Sequence, residues 1–501
     1  MKLPKSYYNS ISFIGTIVAI LSLLLIVFLF VVAVVLDKGG SYLGLFIYIV
    51  LPALMVIGLI LIPLGMWLTA RRVKRQGTDL KGQWNVLDLN NSRHRNAVLV
   101  FSFGTLIFLM LTSFGSYEAF HYTESNEFCG TLCHKVMEPE YTTYHNSEHA
   151  HVKCTECHVG PGADWYVRSK LSGLYQVYSV LTKKYPQPIE TPIHNLRPAR
   201  ITCEQCHWPE KFYPNRLKVE KHYLADESNS QWDIHLRMLI SSEHTAGGLN
   251  EGVHWHINPN VKIEYAPLDN KRESIPWVRY IDLLTGDTII YVDSENPIDD
   301  STFAAAEIRT MDCMDCHNRP SHKYLVPQEF FDRSMASGEI PRDLPEIKMK
   351  AMEIFYAETF ETKEAAQQIF TEQINTFYEE NYPEVFSGRK ADIDKAIKGI
   401  MAGFNRNYFP YMKANWDAYP DHIGHMEYEG CFRCHNDRHT SPTGKVISKD
   451  CNLCHTILKQ GPPEAPEVAP YDGALEFQHP VKLKGNWKEG SCSECHRYLY
   501  Q

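Results

Sequence analysis

Residues 128–158 read FCGTLCHKVMEPEYTTYHNSEHAHVKCTECH, from Phe128 to His158. The stretch holds Cys129–Cys133–His134 and Cys154–Cys157–His158, with Met137 and three further histidines, His145, His149 and His151, between them. An apolar, helix-length run ends just before it. C-x-x-C-H attaches c-type haem: two thiols bond covalently to the porphyrin vinyl groups, and the adjacent His binds iron from the proximal side. The same unit recurs at Cys203–Cys206–His207, Cys313–Cys316–His317, Cys431–Cys434–His435, Cys451–Cys454–His455 and Cys492–Cys495–His496. All 14 cysteines of the 501-residue chain fall in these seven units. Six are C-x-x-C-H and the first is C-x-x-x-C-H. Random placement of these residues would give about 0.02 such motifs.

Other cysteine chemistries fit poorly. Zinc ribbons pair C-x-x-C units but do not require a His after every second Cys. Disulfide frameworks suit small secreted chains. A redox-active C-x-x-C does not recur seven times. The formal net charge is -9, with no basic excess of the kind that binds nucleic acid.

Three apolar runs precede the second motif. Residues 11–36, 42–70 and 97–117 carry no charge and are long enough to cross a bilayer. The first is too long for a signal-peptide core and no small-x-small cleavage site follows, so it reads as an uncleaved anchor. Residues 71–96 hold Arg71, Arg72, Lys74, Arg75, Lys81, Arg93 and Arg95 against Asp79 and Asp88. That excess marks the cytoplasmic side, together with the N-terminus and its Lys2 and Lys5. The chain from Glu118 onward is then expected in the periplasm, anchored in a bacterial inner membrane. The outer face is also where c-type haem is attached.

The expected fold class is a membrane-anchored multihaem cytochrome c. Three transmembrane helices carry a mainly helical or irregular, haem-packed periplasmic region with a small β element. Expected segments are 1–117 (membrane, with cytoplasmic loop 71–96), 118–210 (haems 1–3) and 211–325 (β-containing, haem 4). A helical insert, 326–420, and a C-terminal segment, 421–501 (haems 5–7), follow. The β reading rests on VKIEYA, SIPWVRYI and DTIIYV. The helical insert rests on periodicity over 345–357, 362–378 and 390–405.

Each haem iron has a second axial position, filled by His or Met if the haem only carries electrons. The proximal ligands are His134, His158, His207, His317, His435, His455 and His496. The distal candidates are His145, His149, His151, His194, His254, His256, His322, His422, His425, His439 and His479, with Met137 beside the first motif. His94 falls in the cytoplasmic loop and is excluded.

A helix ending in acidic and aromatic residues, then FCGTLCHKVMEPEY, then Ser147-x-His149, then CTECHVG, resembles the NapC/NirT family of membrane-anchored quinol dehydrogenases over about residues 97–210. The resemblance implies that Met137 ligates or abuts haem 1, that His149 ligates a different haem, and that quinol binds beside haem 1. The chain departs from that family in its three-residue Cys129–Cys133 spacing, in three membrane helices rather than one, and in seven haems rather than four or five. GVHWHINPNVKIEY, IPWV, MDCMDCHNRPSH and GCFRCHNDRHTSPTGK resemble the seven-haem inner-membrane quinone oxidoreductases of metal-respiring bacteria.

The resulting expectation is a quinol dehydrogenase. Quinol, taken as menaquinol, is oxidised near haem 1, and electrons pass along seven covalent haems to soluble periplasmic multihaem cytochromes. Glu118, His121, Glu124, Glu138 and Glu140 are candidate proton acceptors; Arg168 and Lys170, on a stretch 164–175 that reads as an amphipathic helix near the membrane, could contact lipid headgroups or hold quinone oxygens. Two alternatives are a multihaem reductase of the nitrite or hydroxylamine type, with an open haem, and an electron-conducting subunit whose partner holds the quinone site.

Overall fold

The computed structural model describes residues 5–35, 47, 50–75, 88–132, 134–193, 197–208, 215–241, 252–484 and 488–497. The chain divides into two compact units, Met1–His134 and Lys135–Gln501.

The first unit is helical: α1 (Ser10–Val35), α2 (Leu51–Arg75), α3 (Ser92–Thr123) and the short α4 (Asn126–Thr131). Three stretches are long and apolar enough to cross a membrane, Ser10–Leu29, Leu51–Val73 and Ser102–Thr123. In lipid a helix satisfies its own backbone, and helices associate through close packing of small residues. The antiparallel pair α1 and α2 does this. A Cβ on Gly15 would lie 2.6 Å from the Gly58 carbonyl oxygen, and one on Gly58 would lie 2.7 Å from the Ala19 nitrogen. Ser12 Oγ donates across the pair to the Ile62 carbonyl at 2.9 Å. Helix α3 is longer than the expected 97–117, since it starts at Ser92 and runs to Thr123. Part of the expected 42–70 span lies outside the described residues. Ser125 caps α4, its Oγ accepting from the Phe128 N–H at 3.1 Å.

The second unit opens with α5 (His134–His145, whose first residue belongs to the first unit), α6 (Cys154–His158), α7 (Ala163–Leu181) and α8 (Ala199–Cys203). Strands β1 (Asn215–Tyr223), β2 (Gln231–Leu239), β3 (Val261–Ala266), β4 (Trp277–Asp282) and β5 (Thr288–Asp293) follow. Then come α9 (Asp300–Ala305), β6 (Arg309–Thr310) and α10 (Cys313–Cys316). The helical stretch is α11 (Pro327–Ala336), α12 (Ile347–Ala357), α13 (Lys363–Asn381), α14 (Pro383–Gly388) and α15 (Lys390–Asn407). Strands β7 (His439–Thr440), β8 (His455–Gly461) and β9 (Glu467–Val468), then α16 (Cys492–His496), complete it.

The β element resolves into two antiparallel sheets, ordered β1-β2-β8-β9 and β6-β3-β4-β5-β7. The β4–β5 turn forms where expected. Asp282 Oδ1 accepts from the Leu284 and Thr285 N–H groups at 2.8 and 3.1 Å, and Gly286 takes φ 80°. Both sheets draw strands from distant sequence. Ile234 pairs with Gln460 and Asp293 with His439. Sheet pairing therefore stitches the fifth and sixth motifs onto the 215–293 stretch.

Helices α11–α15 hold the main hydrophobic core. On α13, Ala366, Phe370, Ile374 and Tyr378 recur every fourth residue and are fully buried. Each large member contributes about 1.5–3 kcal/mol by leaving water. Gly403 lets Phe330 close on α15, where a Cβ would lie 2.6 Å from its ring. Thr362 caps α13 through the Ala365 N–H at 3.0 Å. Buried Lys348 pairs with Asp332 and bonds the Tyr223 carbonyl, fixing this core to β1.

Candidate haem-binding site

Each haem motif must present two thiols and one imidazole toward one porphyrin. Short helices do this at α6, α10 and α16, where the two cysteines stand three residues apart and the His follows at the C-terminal end. The fourth motif is the most heavily braced. Asp312 and Asp315 form a reciprocal capping box at the start of α10. Buried Asp315 also accepts from Tyr265 Oη at 2.6 Å, Arg272 at 2.8 Å and Arg309 at 2.6 Å. The fifth motif is preceded by Gly430 in a left-handed conformation (φ 49°), where any Cβ would strike the Gly424 carbonyl.

The motifs stand next to one another. Helix α8 packs against both α6 and α10, so motifs two, three and four form a row. Glu429, just before motif five, receives Ser491 Oγ at 3.1 Å and Ser493 Oγ at the seventh motif. None of the thirteen described cysteines is joined in a disulfide. Among the described residues no group of three or more His, Cys, Asp or Glu is arranged to hold a bare metal ion.

Six motif histidines each face a second histidine. Ring centroids are 6.3 Å apart for His158–His322, 6.0 Å for His207–His149 and 6.3 Å for His317–His254. They are 5.7 Å apart for His435–His256, 6.1 Å for His455–His425 and 6.1 Å for His496–His479. Two metal–nitrogen bonds of about 2 Å, plus about 1 Å from each nitrogen to its ring centre, place axial imidazoles about 6 Å apart across one ion. The pairs therefore have the spacing of axial ligands. His254 and His256 lie two residues apart on one 3-10 turn yet serve different motifs, four and five. One short segment thus bridges two sites.

The outer nitrogens orient these rings. Nδ1 of His149 lies 3.1 Å from the Pro320 carbonyl oxygen, that of His254 3.3 Å from Ile240, and that of His256 3.0 Å from Val253. On His435 the carbonyl is Ser448 at 2.9 Å, and on His322 it is Glu140 at 2.9 Å. Donation from Nδ1 to a carbonyl leaves Nε2 with the lone pair a metal needs. Burial, then the facing ring, pushes His158 and His256 down to about 4. His425 is brought down to about 4 in the same way, with His455 opposite. These imidazoles are neutral at ordinary pH, the form that ligates.

A continuous cavity of about 3260 Å³ runs through this unit, lined by motif residues three to seven and by His149, His254, His256, His425 and His479. Ordinary ligand pockets measure about 300–1,000 Å³. Thiol pairs, facing imidazoles and a cavity of this size fit haem c.

Four expected distal histidines are not brought to a motif histidine. His422 and His439 are corrected outright. The ring nitrogens of His422 lie 3.2 and 2.9 Å from the Asp315 and Lys271 carbonyl oxygens. Those of His439 lie 3.0 and 2.7 Å from Asn436 Oδ1 and the Ile275 carbonyl. Neither ring keeps a nitrogen for iron. Exposed His145 packs edge-on to Tyr141 and Tyr144, and His151 is exposed. His194, Cys133 and the His134 side chain lie outside the described residues. Cys129 sits on α4 and half-buried Met137 on α5.

Among the proposed proton acceptors, Glu140 is already engaged. Arg319 donates to both its oxygens at 3.1 and 3.2 Å, Tyr324 Oη at 3.1 Å, and His322 Nδ1 lies 3.1 Å away. Burial pulls this carboxyl upward, but Arg319, His322 and Tyr324 outweigh it and hold it below the ordinary range. That makes it a poor base and a brace for His322. Glu138 bonds Lys363 at 2.8 Å and Tyr411 Oη at 2.7 Å. Glu118 and His121 are exposed near the end of α3, and Glu124, just past it, is half-buried. Arg168 and Lys170 stand on α7 over Trp165 and Tyr166. Arg319, Tyr324 and Asp315 escaped the sequence reading. Asp315, between the cysteines of the fourth motif, and Arg319, two residues after its His, left a trace.

A model of the NapC/NirT cytochrome c family, N-terminal region, matches residues 91–198. The cytochrome c-type protein ImcH of Geobacter sulfurreducens is 41% identical over 493 residues, 98% of this chain and 95% of that protein. The chain belongs to the NapC/NirT cytochrome c family. It is a membrane-anchored c-type cytochrome of electron transport, and covalently bound haem c follows from that membership. No solved structure matches it.

Proposed function

We propose that this cytochrome oxidises membrane quinol, menaquinol by class, near its first motif and delivers the electrons to soluble periplasmic multihaem cytochromes. One observation carries the reading: all six motif histidines whose side chains are described face a second imidazole at axial spacing. Iron held that way has no open position for nitrite or hydroxylamine, which favours electron transfer over a reductase.

Seven motifs call for seven haems. Haem c, when bound, supplies one-electron chemistry at each motif. The chain's residues hold and enclose it. The cysteine pairs would give the covalent bonds, and His158, His207, His317, His435, His455 and His496 the proximal nitrogen. His322, His149, His254, His256, His425 and His479, in that order, would give the distal nitrogen. His134 would be the proximal ligand of the first site, with Met137 as its partner.

Quinol oxidation releases two protons, which need acceptors near the membrane surface. Glu118 and His121 are the better candidates because they are exposed, whereas Glu140 is held ionised by Arg319. The cations of residues 71–96 support a cytoplasmic loop, a cytoplasmic N-terminus and a periplasmic haem region in the inner membrane.

The test is anaerobic reduction of the purified, membrane-reconstituted cytochrome by a naphthoquinol. Rapid reduction of the haem absorbance is expected. A chain that stays oxidised until a partner protein is added would move the quinone site to that partner.

A further inference from the structure

Helix α7 carries an apolar face that nothing in its own unit covers. Val167, Leu171, Leu174, Tyr175, Tyr178 and Leu181 recur at three- and four-residue spacing and are 48–75% exposed. At 100° per residue they occupy one stripe of about 120°. The opposite side is fixed to the protein: Ser179 is buried, and Val180 packs with Tyr185 and Ile189 against the core around Phe409 and Trp416. The exposed stripe is therefore a rigid, presented surface.

Its flanks are cationic. On the helical wheel Arg168 and Lys170 border the stripe on either side, and Lys183 and Lys184 follow its end. Lys184 Nζ reaches Tyr178 Oη at 3.0 Å. Tyr175 and Tyr178, on the stripe itself, supply the amphipathic rings that favour a membrane–water interface. An apolar stripe with basic borders is the pattern of a helix lying in the plane of a bilayer, its cations reaching outward to anionic headgroups. The membrane is also the surface to which this chain is already tethered by three apolar spans.

We propose that the outer face of α7 docks on an anionic bilayer surface, with its apolar side chains at the acyl boundary and Arg168, Lys170, Lys183 and Lys184 among the headgroups. This second attachment, beyond the membrane helices, would fix the orientation of the haem-bearing unit. It does not depend on the quinol reading, because its test involves no quinone.

Hydrogen–deuterium exchange over residues 163–181 of the full, haem-loaded protein tests it. The protein is compared in amphipol, in phosphatidylcholine nanodiscs, and in nanodiscs with one third phosphatidylglycerol. Exchange at least tenfold slower in phosphatidylglycerol discs than in amphipol is expected, with an intermediate rate in phosphatidylcholine. Leu171→Gln with Leu174→Gln should restore the amphipol rate. Lys183→Gln with Lys184→Gln, both exposed, should narrow the difference between the two lipids. Equal exchange in all three environments would overturn the proposal. So would protection already complete in amphipol, which would mean that protein covers the face, or protection that rises with protein concentration, which would mean a second copy does.

Discussion

The helical stretch from α11 to α15 and the motif-bearing remainder of the second unit solve the same problem in opposite ways. In the helical stretch Phe370, Ile374, Tyr378, Ile393 and Phe404 meet one another and are fully buried. In the motif-bearing part, strands and short helices surround a cavity of about 3260 Å³, with facing imidazoles across it. The first has a core made of side chains. The second is shaped around a cofactor, which supplies both bulk and cross-links. Stability and redox tuning should therefore respond to different residues.

The strongest way to break that comparison is to remove an attachment. Cys313→Ala with Cys316→Ala should prevent folding of the motif-bearing part, while limited proteolysis still yields a protected fragment near residues 326–410. Degradation of both together would show that the helices depend on the haems. A core change should do the reverse. Phe370→Ala should cost about 3–5 kcal/mol in denaturant unfolding of the helical stretch, with haem midpoint potentials unchanged. A ligand change should act on potential alone. His254→Met should raise one midpoint by on the order of 100 mV in a spectroelectrochemical titration, because thioether favours ferrous iron.

Glu140 gives the finest test. Its carboxylate lies against Nδ1 of His322 and lends that ring anionic character. Glu140→Gln should raise the potential of a single haem by on the order of tens of mV. The folded carboxyl is depressed below its ordinary value of 4.5. Its contribution to stability is thus complete above that value and is lost as pH falls through the folded pKa. Acid unfolding of wild type and Glu140→Gln should converge at the acid end.

How far the sequence could be read follows the same division. Attachment was legible because Cys and His are adjacent in the chain, and the membrane helices because length and charge are local properties. The pairing of His322 with His158, or of His254 with His317, was not, since it joins positions 63–164 residues apart. His422 and His439 looked like ligands from their neighbours. Only the fold shows carbonyl oxygens at both of their nitrogens. The two sheets were half-legible. VKIEYA and DTIIYV signalled strands, but β8 starts at a motif histidine, where the haem motif masked the strand signal.

The most direct measurement is the spin state of the ferric, haem-loaded protein by electron paramagnetic resonance, quantified against total haem. The facing histidine pairs predict low-spin, six-coordinate iron at six sites, with any other signal confined to the first. High-spin iron at two or more equivalents would contradict axial closure, and with it the assignment of this chain to electron transfer rather than substrate reduction.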